Sequence, residues 1–584
     1  VVVAFAPVVV ALVGLLRPTW YPTGDLAQAE LHVRGFWSDP PLVGAAGRIA
    51  TAEGVQGSHP GPALWLAMWP LYALLGSSSA ALTVSVVVVH LATVALALWL
   101  AWRRGGTPFV ALLAVGLLVV VRAGGPEVFT EPWNPWMALL PFLVVLLALW
   151  SVLDDDLWAA PIAVLAGSYS VQAHAGYLLV VGGLFLAVLG VVVWRHRRAD
   201  RARAVRWVAV SAAVGVVAWI PPLVDQLWRE PGNLSVLRES FGRPDGPYLG
   251  LGEVAEIATV QFNLLGPWVF GPARDSFGLL ALVGYVAAVV LCAVAIRSAR
   301  RRRAEDELAL HALLGVAWVL ALVSITRIFG RYFEYTIRWV WLLMALTVAA
   351  SLWSLWNDRR RRTEPFRRWA PAALGALTGV VLVLAVGQFS VRAEPTGEID
   401  GRIVGGLVPE VVAELDPAER YLLRWWDPTL LGATGFGAGL ELERRGFTVG
   451  YDPSFSAAVM PHRILPEEAA DAVLYLVLGE PSIERARSTA GLTELGGFDV
   501  RSPAQQERSA ALRTAIEEEL TRSGQADRIR LLDEYYGQAQ LLLNEPRPSA
   551  ALEALLEEYV DLRQPAVLFR AEPGTPVFPL GGDG

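Results

Sequence analysis

Apolar runs of near-spanning length recur along the first two thirds of the chain, and charged residues return after them. The runs lie near 1–16, 80–102, 107–122, 135–152, 158–172, 175–194, 206–224, 275–296, 308–325, 338–356 and 369–388. Each approaches the ~20 residues that a membrane-crossing helix needs. They predict a polytopic α-helical membrane domain of about eleven spans over 1–388. A further run at 61–76, GPALWLAMWPLYALLG, would be about 24 Å long as a helix. It is broken by Pro70 and preceded by Pro60 and Pro62. Beyond 388 the pattern shortens and alternates. RYLLRWW, FTVGYD and AVLYLVLG read as strands. TGFGAGLELERRG reads as a glycine-rich turn and helix, and SAALRTAIEEELTRSG and ADRIRLLDEYYGQAQLLLNE as amphipathic helices. This order predicts a C-terminal soluble α/β domain over 389–584.

Composition agrees. Of 584 residues, 54% are hydrophobic and 18% charged, below the roughly 25% usual in soluble domains. A net charge of −7 argues against a nucleic-acid partner. The 48 strongly basic side chains are all arginine, and Ala, Gly, Val and Leu dominate, as in a GC-rich bacterial genome. The single cysteine, Cys292, excludes an intrachain disulfide and a cysteine-built metal site. Residues 1–16 lack a basic start and a small-x-small cleavage site, so they read as a span rather than a signal peptide.

Arginine clusters at 103–104, 195–206, 297–303 and 359–368 orient the domain, because basic residues collect in cytoplasmic loops. With the N-terminus inside, all four clusters are cytoplasmic only if 61–76 does not cross. That segment is therefore expected to lie in the outer interface, anchored by Trp65, Trp69 and Tyr72. The multi-pass plasma-membrane topology then leaves 17–79, 123–134, 172–176, 225–274, 326–337 and the C-terminal domain outside the cytoplasm.

The outer loops hold the candidate chemistry. Asp25 follows the first span, where a carboxylate is costly unless partnered or used. It also fits a capping box with Gln28. Glu30 and Arg34 have the spacing of a helical ion pair. His59 precedes Pro60 and suits a proton carrier or ligand. In EPWNPW, Asn134 between two tryptophans suits a sugar hydroxyl as well as an aromatic belt. Gln172 and His174 occupy the tight turn of SYSVQAHAGY, where polar groups need partners or a wet cavity. In TRIFGRYFEYTIRW, Arg327, Arg331 and Arg338 lie outside against the charge trend. A phosphate would explain them, and Tyr335 shares a helical face with Arg331. In the C-terminal domain Trp425, Trp426 and Asp427 are candidates to stack on and bond a sugar. GATGFGAG lacks the spacing of a dinucleotide fingerprint.

A first span, an outer loop with an early Asp, and a His-Pro-led apolar helix that does not cross together resemble the C-type (GT-C) membrane glycosyltransferases. GDLAQAE, SHPGP, PWNPW, GSYSVQAHAGY and PPLVDQLWREPGNL look like an actinobacterial branch of that superfamily. PGP replaces the PPL of the protein mannosyltransferases, and Asp25 is followed by Leu26 rather than a second acid. The resemblance covers 1–388. It implies a polyprenyl-phosphate sugar as donor, a cell-envelope glycan or lipid as acceptor, and an inverting displacement at the outer face of the bilayer. In that scheme Asp25 is the general base and Arg331, Arg338 and Tyr335 hold the donor phosphate. Glu30, His59, Asn134, Gln172 and His174 hold sugar or acceptor. Some relatives use a divalent metal near the first-loop acid, so a metal cofactor stays open here. A lipid transporter or flippase, and a non-catalytic lipid-binding wall-assembly protein, are the alternatives. An odd number of spans without a clear inverted repeat weighs against a transporter.

Overall fold

The structure is a computed structural model. It describes residues 2–16, 19–197, 200–244, 246–270, 278–330, 332–362, 364–426, 433–534 and 548–577. The chain divides into two compact units, Val1–Arg17 with Pro41–Glu394, and Pro18–Pro40 with Pro395–Gly584.

The first unit is helical. Among the described residues, eight helices are long and apolar enough to cross a membrane. The expected runs at 80–102 and 107–122 share one of them, Ser79–Gly124, of 46 residues. A straight helix of that length would be about 69 Å long, more than twice the hydrocarbon core. It breaks at Gly106 (φ 65°, ψ −169°), a backbone state that glycine enters without steric penalty. The runs at 1–16 and 158–172 fall on helices Val2–Leu15 and Ala160–Ala173, each of 14 residues. Residues 275–277 of another run lie outside the described residues. Every side chain of Leu139–Leu153 is buried, as expected for a helix apolar on all faces.

One turn stitches several helix ends together. Asp154 and Asp156 pair with Arg104, and Asp156 also lies 3.5 Å from Arg103. Asp155 pairs with Arg203 (2.8 Å) and His196 (3.1 Å).

The run at 61–76 forms helix Ala63–Leu74. Trp65 and Tyr72, expected as interfacial anchors, are instead fully buried within the protein. They share one helix face with Leu64 and Met68, because positions three, four and seven apart line up at 3.6 residues per turn. Trp65 Nε1 donates to Val43 O (3.2 Å) and the Tyr72 hydroxyl to Ser77 O (3.0 Å). Leu66, Leu74 and Leu75 form the exposed side. Before this helix, β1 (Ala46–Ala50) and β2 (Gln56–Ser58) pair as an antiparallel hairpin that the apolar pattern does not announce.

The second unit is α/β. Its strands are β3 (Arg420–Trp426), β4 (Thr448–Gly450), β5 (Ala472–Leu478), β6 (Thr493–Phe498) and β7 (Ala566–Ala571). They form one sheet in the order β4-β3-β5-β7-β6. β3 is parallel to β4 and β5, and β7 is antiparallel to β5 and β6. β5 reads AVLYLVL and is buried throughout, as a central strand covered on both faces should be. Helices Pro503–Arg522 and Ala550–Asp561 share a core of Leu512, Ile516, Leu520, Leu552 and Leu556. Pro18–Pro40 belongs to this unit through helix Gly24–Arg34, which packs on helix Ala433–Arg444.

Candidate functional site

In the first unit, four expected ligand-binding residues turn out to fasten the chain to itself. Gln172 is buried. Its Oε1 accepts from the Ala63 N–H (3.3 Å) and its Nε2 donates to Ala218 O (2.7 Å). Both ends of the amide are thus engaged by backbone. Asn134 Nδ2 donates to Ala173 O (3.1 Å) from a buried position. The His59 and His174 rings stack with centroids 4.8 Å apart. His59 Nδ1 accepts from the Ala175 N–H (3.1 Å), and His174 Nδ1 from the Gly176 N–H (3.3 Å). Burial, then the neighbouring His174, holds His59 well below the usual histidine range, and burial lowers His174 to about 4. Two neutral rings can stack where two imidazolium ions would repel. Asn233 completes the fastening. It accepts from the Ser58 N–H (2.8 Å) and donates to Ser58 O (3.0 Å), while Asp225 accepts from the Asn233 N–H (2.8 Å). Together these contacts fix the β1–β2 hairpin and the start of helix Ala63–Leu74.

The expected phosphate residues are arranged differently. A cavity of about 360 Å³ is walled by Glu127, Phe129, Trp136, Glu334, Arg338 and Trp341 among others. The rest of its wall is apolar. Arg338 pairs with Glu334, and its guanidinium lies 4.1 Å from the Trp341 ring centroid. Tyr335 does not line the cavity; its ring packs on Trp133 (4.8 Å), and Trp133 packs on Trp136 (4.9 Å). Its hydroxyl accepts from Arg48 on β1 (3.2 Å). Arg327 stacks on Tyr248 (4.5 Å). Arg331 lies outside the described residues.

In the second unit, Asp25 is exposed in the first turn of helix Gly24–Arg34. Thr23 takes the N-cap position, so the Asp25–Gln28 capping box does not form there. Glu30 is not placed to bind a sugar. It is completely buried and pairs with Arg444. Nor does Arg34 pair with Glu30 at the expected spacing. It donates to Glu443 (2.9 Å), which also accepts from Arg463 (2.7 Å). Burial raises the Glu443 carboxyl, but Arg463 and Arg34 outweigh it and hold the group below the usual carboxylate range. His32, buried on the same helix, has its Nδ1 2.8 Å from Gln28 O, and burial lowers it to about 4. Trp425 is half-buried and packs among Phe436 (4.9 Å) and Phe455 (4.7 Å). Asp427 lies outside the described residues.

No protein-family model and no curated protein matches the sequence. Among solved structures, ArnT from Cupriavidus metallidurans bound to undecaprenyl phosphate superposes with a TM-score of 0.55 at 13% identity, over 85% of this chain and 95% of that one. The apo form of the same protein gives 0.53 at 13% identity, over the same 85% and 95%. The chain has the GT-C fold. The arabinofuranosyltransferase AftD from Mycobacteria matches at a TM-score of 0.42 and 15% identity, over 85% of this chain and 37% of that one.

Within the GT-C fold, several residues escaped the sequence reading. Glu127 reaches the cavity wall, although nothing in GGPEVFTEPWNPW separates Glu127 from Glu131 by pattern. Arg48 was hidden because the hairpin that presents it was not foreseen. Arg444 and Asn233 were invisible because their partners are far away in sequence. Among the described residues, no three His, Cys, Asp or Glu side chains are grouped to hold a metal ion.

Proposed function

We propose that the protein is a membrane glycosyltransferase. It moves a sugar from a polyprenyl-phosphate donor to a cell-envelope acceptor on the outer face of the plasma membrane. The observation that carries this reading is the cavity of about 360 Å³ whose wall is apolar except for Arg338, Glu334 and Glu127, in a chain that shares the fold of an ArnT crystallised with undecaprenyl phosphate. Its size is in the range of small-molecule sites. An apolar wall suits the prenyl end of the donor. A guanidinium suits its phosphate, because it binds oxyanions through two parallel N–H bonds and keeps its charge.

The chemistry is a single displacement with inversion. Asp25 accepts the proton of the acceptor hydroxyl, and that oxygen bonds to the anomeric carbon. The bond from that carbon to the phosphate oxygen breaks, and polyprenyl phosphate leaves. Arg338, joined by Arg331 as a candidate from the sequence alone, neutralises the charge gathering on the leaving group. Glu334 is exposed, so it can yield its place on Arg338 to a phosphate. His59, Asn134, Gln172 and His174 act through the chain segments they hold, not through the sugar.

The test is sugar transfer in membranes supplied with polyprenyl-phosphate sugar, followed by mass spectrometry of the released lipid. Asp25→Asn is expected to lower the rate by roughly 10²–10⁴-fold, the range of general-base catalysis, with undecaprenyl phosphate binding retained. Wild-type transfer by this variant would overturn the assignment of the base. No transfer by the wild type with any polyprenyl-linked sugar would overturn the enzyme reading.

A further inference from the structure

Several arginines of the first unit near the cavity and the loops around it have spent their charge or their N–H groups. Arg338 faces Glu334, and Arg229 faces Asp225 (3.2 Å). Arg122 donates to the carbonyls of Trp268, Val269 and Leu384 and to Gln388. Arg48 differs. Its guanidinium lies 3.8 Å from the Phe333 ring centroid, and one N–H reaches the Tyr335 hydroxyl. Among the described residues it meets no carboxylate.

The position of Arg48 is nonetheless well determined. β1 is paired with β2, and the ends of the hairpin are held by Asn233 and by the His59 N–H, which donates to Ala45 O (2.8 Å). The ring beneath Arg48 belongs to the segment that also supplies Glu334 and Arg338 to the cavity wall. Tyr335 continues through Trp133 to Trp136, another wall residue. A cation set on an aromatic face keeps its in-plane N–H groups available. Five donors, of which one is used, form a fork suited to an oxyanion.

We propose that Arg48 is a phosphate-positioning residue, which takes an oxygen of the polyprenyl phosphate that Arg338 alone cannot neutralise while Glu334 remains beside it. This rests on the glycosyltransferase reading and adds to it a residue outside the outer arginines found by pattern. The Tyr335 hydroxyl holds the fork in place, and Phe333 supports it from below. The phosphate gains a second guanidinium and need not displace Glu334 completely.

The experiment measures binding of undecaprenyl phosphate and of neutral undecaprenol to the full-length protein in phosphatidylcholine nanodiscs. The wild type should prefer the phosphate. Arg48→Ala should lose roughly ten-fold or more of that preference, the scale of a lost charge-assisted hydrogen bond, and bind undecaprenol unchanged. Retained undecaprenol binding reports that the variant is folded. Tyr335→Phe keeps the ring and removes the hydroxyl, and should lose a smaller part of the preference. An Arg48→Ala protein with the full preference would overturn the proposal. So would loss of the wild-type preference in excess phosphatidylglycerol, since Arg48 would then be a general headgroup contact. A wild type with no preference would instead overturn the donor reading on which the proposal stands.

Discussion

The segment between the first helix and helix Ala63–Leu74 changes its chemistry at Pro40–Pro41, where it passes from one unit to the other. Before that point it is held by charge. Glu30 meets Arg444, Arg34 meets Glu443, and Asp39 lies 3.7 Å from His462. After it the fastening is mostly neutral. Backbone N–H and C=O groups meet Gln172, His59 and Asn233. The two halves solve one problem, burying polar groups, by different means. A neutral amide needs only a dipole as partner, so it can be set against apolar helices without bringing a charge with it. A buried carboxylate needs a guanidinium, and an α/β unit with many arginines can supply one. The halves should therefore fail differently when a partner is removed.

The largest effect is expected on the charged side. Arg444→Ala removes the guanidinium that faces the buried Glu30 and should cost about 3–5 kcal/mol. Hydrogen exchange of the full chain should show helix Gly24–Arg34 opening while Leu139–Leu153 stays protected. Equal exchange in both would break the distinction between the halves. Next comes His32. An unfolded imidazole takes its proton near the ordinary 6.5, and the folded one only at about 4. Between those values the unfolded state binds more protons. Stability is complete above pH 6.5, falls as the pH drops, and levels off below 4, a loss of about 3 kcal/mol. The difference in thermal unfolding temperature between pH 7.5 and 5 should shrink in His32→Asn; an unchanged difference would assign the acid sensitivity elsewhere. On the neutral side, Gln172→Ala leaves one N–H and one carbonyl without their side-chain partner. It should cost about 1–3 kcal/mol, read as faster exchange over the β1–β2 hairpin, with little dependence on salt. Strong salt dependence would show that charge matters in that half too.

These contrasts also explain what was legible in the sequence. Periodicity and run length are local, so helix Gly24–Arg34, the long apolar helices and strands β3, β4 and β5 could be read. The fold class followed from them. Trp65 and Tyr72 carry the same aromatic signal whether they face lipid or protein, and only the helix phase against its neighbours decides between the two. Glu30 looked available because its partner lies 414 residues away. Gln172 and His174 were read as polar groups in need of partners or a wet cavity. Nothing in their spacing told backbone partners from a sugar. The hairpin at β1–β2 breaks register between its ends, which blurs the alternation by which strands are recognised.

The turn at Asp154–Asp156 bears on how the chain enters a bilayer while it is being made. Arg103 and Arg104 are complete some fifty residues before the carboxylates that capture them, and Arg203 arrives about as long after. Insertion responds to the number of basic residues flanking a span, and acids count for little. The acidic turn can therefore silence these charges in the finished molecule without erasing the message they carried during synthesis. The side chains that direct the threading of the chain become, once it is threaded, the bolts between its helices.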